Sequence, residues 1–234
     1  MPGTVVDMHV HTILGATDSS LTLDQLIEEA RRIGLTGVNI SEHDRVWEPH
    51  QMEEFRQRSG LFVSRGMETS TDMGHIIVVG LDRYMPGIRR ATTLRRVMDT
   101  MGGFMIAAHP FRHFFHPVHF REGERPPFEM TPEEAVEQMP VLRLVDEIEV
   151  ANGGCTLQEN QFALRVAQVL GKRGVGGSDC HSTSGIGYFV TVFEEELRDQ
   201  NHMLQLLRAG RFYAAQGLNM GEMRPFEEMT APPK

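Results

Sequence analysis

The sequence contains no apolar run of about 20 residues, the length a helix needs to cross a bilayer, so a membrane-spanning helix is not expected. Cysteine is scarce. Cys155 and Cys180 are the only two, too few for a disulfide framework. The opening MPGTVVDMHVHT has no basic stretch followed by an apolar one, so no cleaved secretory leader is expected. Together these features suit reduced thiols in a cytoplasm. Positive charge is also in the minority, with 23 Lys and Arg against 32 Asp and Glu and a formal net charge of −9. An acidic chain gains nothing from counterion release along a nucleic-acid backbone, which disfavours a general nucleic-acid binder. Gly176-Gly177 opens no dinucleotide fingerprint, so no nicotinamide cofactor is implied. Internal repeats and long linkers are absent. The 234 residues read as one domain over 1–220, with a tail at 221–234 expected to fray.

What is present alternates between strand and helix patterns. Val5–Val10 is a short apolar run, and Leu23–Ile33 carries apolar residues at helical spacing. Thr22 with Gln25 forms a capping box before that helix, and Gly34 stops it. Further strands are expected at Gly37–Ile40, Leu61–Arg65, Ile76–Gly80, Phe104–Ala108, Glu147–Val150, Val175–Gly177, Tyr188–Phe193 and Arg211–Ala214. Helices are expected at Glu48–Arg58, Leu94–Met101, Pro132–Gln138, Leu157–Leu170 and around Glu195–Ala209. This alternation predicts an α/β fold with a mostly parallel sheet covered by helices, and the number of units suits a closed barrel better than an open sheet. Arg112–Pro132, rich in His, Pro and charge, reads as a functional loop.

Six of the eleven histidines sit in clusters at the ends of the expected strands. His9 and His11 alternate by two, so an extended chain turns both rings to one face, where they can share an ion. Ser41-Glu42-His43-Asp44, Gly66-Met67-Glu68, Ala107-Ala108-His109-Pro110 and Gly177-Ser178-Asp179-Cys180-His181 each follow a strand, and His75 opens one. Parallel barrels collect functional groups at one rim, so His75, at a strand start, must reach it from an antiparallel strand or a loop. Asn152, at another strand end, faces the same region or forms a turn with Gly153-Gly154. Cys180, between two candidate ligands, is a packing residue.

These clusters, in this order, resemble the PHP (polymerase and histidinol phosphatase) superfamily of metal-dependent phosphoesterases. The resemblance runs from His9 to His181 and so covers nearly the whole domain. It implies a distorted (β/α)7 barrel with two to three divalent transition-metal ions (Mn, Fe or Zn) at the C-terminal rim. Carried over by position, His9, His11 and Asp179 would bind a first ion and Glu68 would bridge it to a second. His75 and His109 would complete the second site, and Asp18, His43 and His181 would hold a third.

Six histidines and three carboxylates suit these metals better than an oxygen-only magnesium or calcium site. Bridged ions can make water nucleophilic near neutral pH and clamp phosphoryl oxygens during in-line displacement. Glu68 and Asp179 therefore carry the expected catalysis, with Arg112 as the guanidinium that grips phosphate. His113, His116 and His119 share its loop and are candidates for the general acid. Glu42 and Asp44 either orient His43 or are plain loop carboxylates. The expected partner is a small phosphorylated substrate such as histidinol phosphate or a nucleotide, with short nucleic-acid ends as a further candidate. Two alternatives stand beside this: hydrolysis of amide or carboxylic ester bonds, and a metal-stabilised domain without turnover.

Overall fold

The computed structural model describes residues 3–115 and 129–229. His116 and His119, with most of the 112–132 loop, lie outside the described residues.

Among the described residues ten strands form one sheet in the order β10-β9-β8-β1-β2-β3-β4-β5-β6-β7. They are β1 (Val5–Val10), β2 (Gly37–Ile40), β3 (Phe62–Thr71), β4 (Gly74–Val79), β5 (Phe104–Ala107), β6 (Glu147–Asn152), β7 (Val175–Gly177), β8 (Phe189–Phe193), β9 (Phe212–Gln216) and β10 (Arg224–Pro225). The sheet curls until its far edge meets its centre. An isolated parallel bridge joins Val10 to Cys180 just past β7, and the His11 amide donates to the Cys180 carbonyl at 3.1 Å. The Thr191 hydroxyl ties β8 to the Gly176 backbone of β7, at 2.9 and 3.0 Å.

The expected α/β barrel is present, but the sheet is mixed and not mostly parallel. β1–β2, β2–β3, β5–β6 and β6–β7 pair parallel, while β3–β4, β4–β5, β1–β8, β8–β9 and β9–β10 pair antiparallel. Only Asp72 and Met73 separate β3 from β4, and so short a connection cannot carry a parallel crossover. β3 also runs six residues past its expected end at Arg65. Gly66 is a strand residue, not a stop: a Cβ there would stand 2.5 Å from the Asn39 side chain. Glu68 therefore projects from within a hairpin, facing Ile77 of β4.

Among the described residues seven α-helices pack on the sheet: α1 (Leu23–Ile33), α2 (Pro49–Ser59), α3 (Ala91–Met101), α4 (Pro132–Gln138), α5 (Val141–Leu144), α6 (Leu157–Leu170) and α7 (Gln200–Arg208). The Thr22–Gln25 capping box and a left-handed Gly34 bound α1 as its sequence predicts. α7 starts five residues later than expected, because the Asp199 carboxylate caps it by accepting from the His202 amide at 2.8 Å. No described helix is long and apolar enough to cross a membrane.

Three apolar clusters hold the layers. One lies between β4–β6 and helices α3 to α6, and a second joins β1 and β2 to α1 and α2. The third gathers Val6 and Met8 of β1, Ile77 and Val79 of β4, Ile106 of β5 and Val175 of β7 with Met203, Leu206 and Leu207 of α7. It fills the concave side of the sheet, each large aliphatic side chain contributing about 1.5–3 kcal/mol. Part of the tail expected to fray is fixed: Arg224–Pro225 pairs with β9, and Phe226 packs edge-on against Phe189 at 5.5 Å.

Candidate metal centre

The curl brings the chemistry-bearing segments of β1, β3, β4, β5, β6 and β7 to one rim. Glu68 lies at the middle. Its Oε1 is 2.9 Å from both His75 Nδ1 and His109 Nε2. Its Oε2 is 3.0 Å from His43 Nδ1, 3.4 Å from His11 Nε2 and 3.6 Å from His9 Nε2. The Asp179 Oδ1 atom is 3.4 Å from the same His9 and His11 nitrogens. Further out, Asp18 Oδ2 stands 3.4 Å from His43 Nε2 and 3.5 Å from His181 Nε2. All nine residues singled out as ligands in the sequence thus stand at one rim, His75 arriving on an antiparallel strand.

The centre has a dry floor and a wet edge. His9 and His11 are fully buried and Glu68 is 1% exposed, whereas the side chains of His75 and Asp18 are 40% and 59% exposed. Two of the nine candidate ligands are held in the left-handed region that ordinary side chains avoid, His109 at φ 29° and Asp179 at φ 53°. Such strain persists where surroundings over-determine it, commonly at functional sites.

Titration follows from burial and neighbouring charge. Burial would lower the His9 pKa, but Glu149 and Glu68 outweigh it and raise it to about 10. His11, buried beside His9, is pushed down to about 2. Burial would raise Glu68, yet His9, His109, His43 and His75 hold it well below the usual carboxylate range. His43 is raised by its hydrogen bond to Glu68, whereas burial lowers His109 and His181.

Behind the floor stands Glu149 of β6, 1% exposed. It lies 3.1 Å from His9 Nδ1 and accepts from the His109 amide and the Asn152 side chain, both at 2.8 Å. Sequence reading took Glu147–Val150 only as a strand. The available signal was acidic residues alternating with Ile148 and Val150, since a carboxylate in a buried strand must have partners. Asp7 escaped in the same way. It accepts from the amides of Ser178 (2.8 Å), Gly187 (3.1 Å) and His9 (3.2 Å), and burial raises its pKa to about 6.

Arg112 Nη2 donates to Asp179 Oδ2 and to Asn152 Oδ1, the latter at 3.0 Å, and its buried Nε has no hydrogen-bond partner. Asn152 therefore does face the centre. Of the two acids flanking His43, Glu42 is buried and accepts from Thr12 and, at 3.0 Å, from Trp47 Nε1, which fixes the turn after His11. Asp44 instead pairs with Arg89 at 2.7 Å. Cys180 packs in the second apolar cluster, as expected of a non-ligand.

Residues 158–212, spanning α6 to the start of β9 and including Asp179 and His181, match the family model PHP_C, described as PHP-associated. Solved structures agree over most of the chain. A protein of Bifidobacterium adolescentis described as a metal-dependent phosphoesterase superposes with a TM-score of 0.56 at 18% identity, covering 88% of this chain and 97% of its own. PsfC from Pseudomonas syringae gives 0.61 at 19% identity, covering 92% and 91%. An amidohydrolase from Chromobacterium violaceum, solved with bound sulfate, gives 0.53 at 16% identity, covering 88% and 96%. The fold is PHP-like. No curated protein matches the chain at the level of sequence.

Whether the donors of this PHP-like rim fit metal ions can be tested on their spacing. Four overlapping groups each bring three ligand atoms within 4.8 Å of one another: His9–His11–Glu68, His9–His109–Asp179, Glu68–His75–His109 and His11–His43–His181. Two ligands about 2.1 Å from one tetrahedral ion stand about 3.4 Å apart. The contacts of His9 and His11 with Glu68 and Asp179, and of Asp18 with His43 and His181, all fall between 3.4 and 3.6 Å. His9 Nε2 and both His11 ring nitrogens are buried without a hydrogen-bond partner. Buried donors and acceptors are ordinarily satisfied, and a cation here would take the place of a proton on His9 Nε2 and use the one lone pair of the neutral His11 ring. The residues fit several ions.

Proposed function

We propose that the protein is a metal-dependent hydrolase acting on phosphate esters of small molecules. The observation that carries this is the pair of buried, unpartnered imidazoles of His9 and His11 at ion-ligand spacing from Glu68 and Asp179 at the floor of the centre. In this reading His9, His11, Glu68 and Asp179 would hold one ion, Glu68, His75 and His109 a second, and Asp18, His43 and His181 a third. Mn, Fe and Zn suit a donor set so rich in imidazole.

Bound divalent ions would supply Lewis acidity, making water more acidic and neutralising charge on phosphoryl oxygens. The chain's own residues do the rest. Glu149 presents an acceptor to His9 Nδ1, which keeps the Nε2 lone pair turned towards Glu68 and Asp179. Arg112, locked by Asp179 and Asn152, offers its unpartnered Nε to a phosphoryl oxygen. The buried floor keeps bulk water away from the carboxylates, which strengthens every charge interaction there.

Hydrolysis of amide or carboxylic ester bonds is the second reading, drawn from the Chromobacterium neighbour described as an amidohydrolase. The bridging position favours the first reading, since it holds Glu68, and the only two lysines, Lys172 and Lys234, lie outside all the His and acid motifs.

The test is metal content of protein purified without chelator, followed by phosphate release from a panel of phosphomonoesters and nucleotides. Two to three Mn, Fe or Zn per chain with phosphate release is the expected result. Glu68→Gln should abolish turnover with little loss of fold, because its charge neutralises the ions while its shape is kept. Metal without phosphate release would promote the amide or ester reading, and little metal with no turnover would favour a binding domain.

A further inference from the structure

A cavity of about 300 Å³ opens beside the two histidines that share Glu68 Oε1. His75, His109 and Arg112 line it together with the apolar Met73, Met139, Val141 and Pro110. Met73 and Met139 are partly buried and pack on the first apolar cluster, and Val141 is 5% exposed. Among the described residues, no carboxylate, carboxamide or hydroxyl side chain lines this space. Its side-chain polar groups are three imidazoles, those of His75, His109 and His113, and the Arg112 guanidinium.

That lining is selective. A ribose or other polyol placed there would bury hydroxyls against methionine and valine, and each hydroxyl left without a partner would cost free energy. A compact hydrocarbon would lose nothing, and two flexible thioethers can close around flat or branched shapes. The Arg112 guanidinium, by contrast, is a cation tied to Asp179 and Asn152 of the centre, which suits the phosphate end of the same molecule.

We propose, resting on the phosphoesterase reading above, that the substrate is the phosphate monoester of a compact apolar alcohol. Its phosphate lies against His75, His109 and Arg112 and its hydrocarbon body between Met73, Met139 and Val141. In the reaction a water oxygen bonds to phosphorus and the bond from phosphorus to the alcohol oxygen breaks. The bonding pair stays on the alcohol oxygen, one water proton ends there, and the products are the free alcohol and inorganic phosphate.

The experiment compares benzyl phosphate with glycerol 3-phosphate, two esters of primary alcohols, on the manganese-loaded full chain. The wild-type kcat/KM should favour benzyl phosphate by about tenfold or more, the scale on which apolar pockets discriminate. Met139→Trp, which fills the cavity, should collapse that ratio. Met73→Gln, on the β3–β4 turn, should lower it if the tryptophan variant does not fold. A readout independent of turnover is the ¹³C-methyl spectrum of the methionines, in which benzylphosphonate should shift Met73 and Met139. Equal turnover of both esters, or a ratio unmoved by the variants, overturns the proposal and leaves the phosphoesterase reading standing. No phosphate release from any ester sinks that reading instead. The cavity is then judged by the methionine shifts, whose presence supports an apolar ligand and whose absence overturns it.

Discussion

Glu149→Gln tests whether the centre depends on a residue that would touch no ion. Three N–H groups converge on this carboxylate: His9 Nδ1, the His109 amide and the Asn152 side chain. A glutamine keeps the shape but brings one oxygen and one NH2 group. If its oxygen serves His109 and Asn152, its NH2 faces His9 Nδ1. The imidazole must then accept there and carry its proton on Nε2, the atom turned towards Glu68 and Asp179. A lone pair becomes an N–H.

Losing one charge-assisted hydrogen bond costs about 1.5–3 kcal/mol. In a domain of this size that is a fall of about 3–12 °C in Tm. Metal affinity should fall about 10- to 100-fold, as for other carboxylates that orient ligand histidines. The ionised state is itself favoured: burial would raise the Glu149 pKa, but His9 and His109 hold it low. The carboxylate therefore contributes stability above the unfolded carboxylate pKa and loses it as pH falls through its lower folded value. Chelator competition measures the affinity, and ¹⁵N imidazole shifts report the His9 tautomer. A Glu149→Gln protein with wild-type affinity and an unchanged tautomer would refute the reasoning.

Gly177→Ala would place a Cβ 2.6 Å from His9 Cβ and 2.9 Å from Glu149 Oε1. It should destabilise by about 1–3 kcal/mol and lower metal affinity, both read by melting with and without added manganese. Asp7 has its pKa raised by burial from 3.8 to about 6, so the folded form holds this proton more tightly than the unfolded chain. Its contribution becomes more favourable as pH falls from above 6 towards 4, by up to about 3 kcal/mol. Denaturant titrations of wild type and Asp7→Asn at pH 7 and pH 4 should separate by that amount, in the sense opposite to Glu68 and Glu149. Arg112→Lys cannot hold Asp179 and Asn152 together and still present a further donor, so KM for phosphoesters should rise about tenfold with little change in Tm.

The parts of the centre that come from short motifs were legible. His9-Val10-His11, His109-Pro110 and Asp179-Cys180-His181 combine uncommon residues at strand ends, and composition alone marks them. Strand direction was not legible, because a period of two is the same for parallel and antiparallel neighbours; the mixed sheet and the long β3 hairpin followed only from the structure. Glu149 and Asp7 were missed for a related reason. Each is an acid inside a short strand, and nothing local reveals how far along the chain its partners lie: 140 residues away for Glu149 and His9, 171 for Asp7 and Ser178. Arg112 was singled out in the sequence as a cation to grip phosphate, but its lock on Asp179 and Asn152 was not legible.

The gradient from a dry floor to a wet edge gives the centre an order of exchange. Met203, Leu206 and Leu207 of α7 join the apolar filling of the concave side, so anything seated among His9, His11 and Glu68 has the rim as its exit. That exit leads past Asp18, His43, His75 and His181, which meet solvent and would trade any bound ion directly. Residence times would then lengthen with depth, and a chelator would strip the centre from outside inward. A preparation handled roughly would keep its innermost ion and its fold while losing the outer ones, so inactivity in such a sample would report on handling before it reported on chemistry.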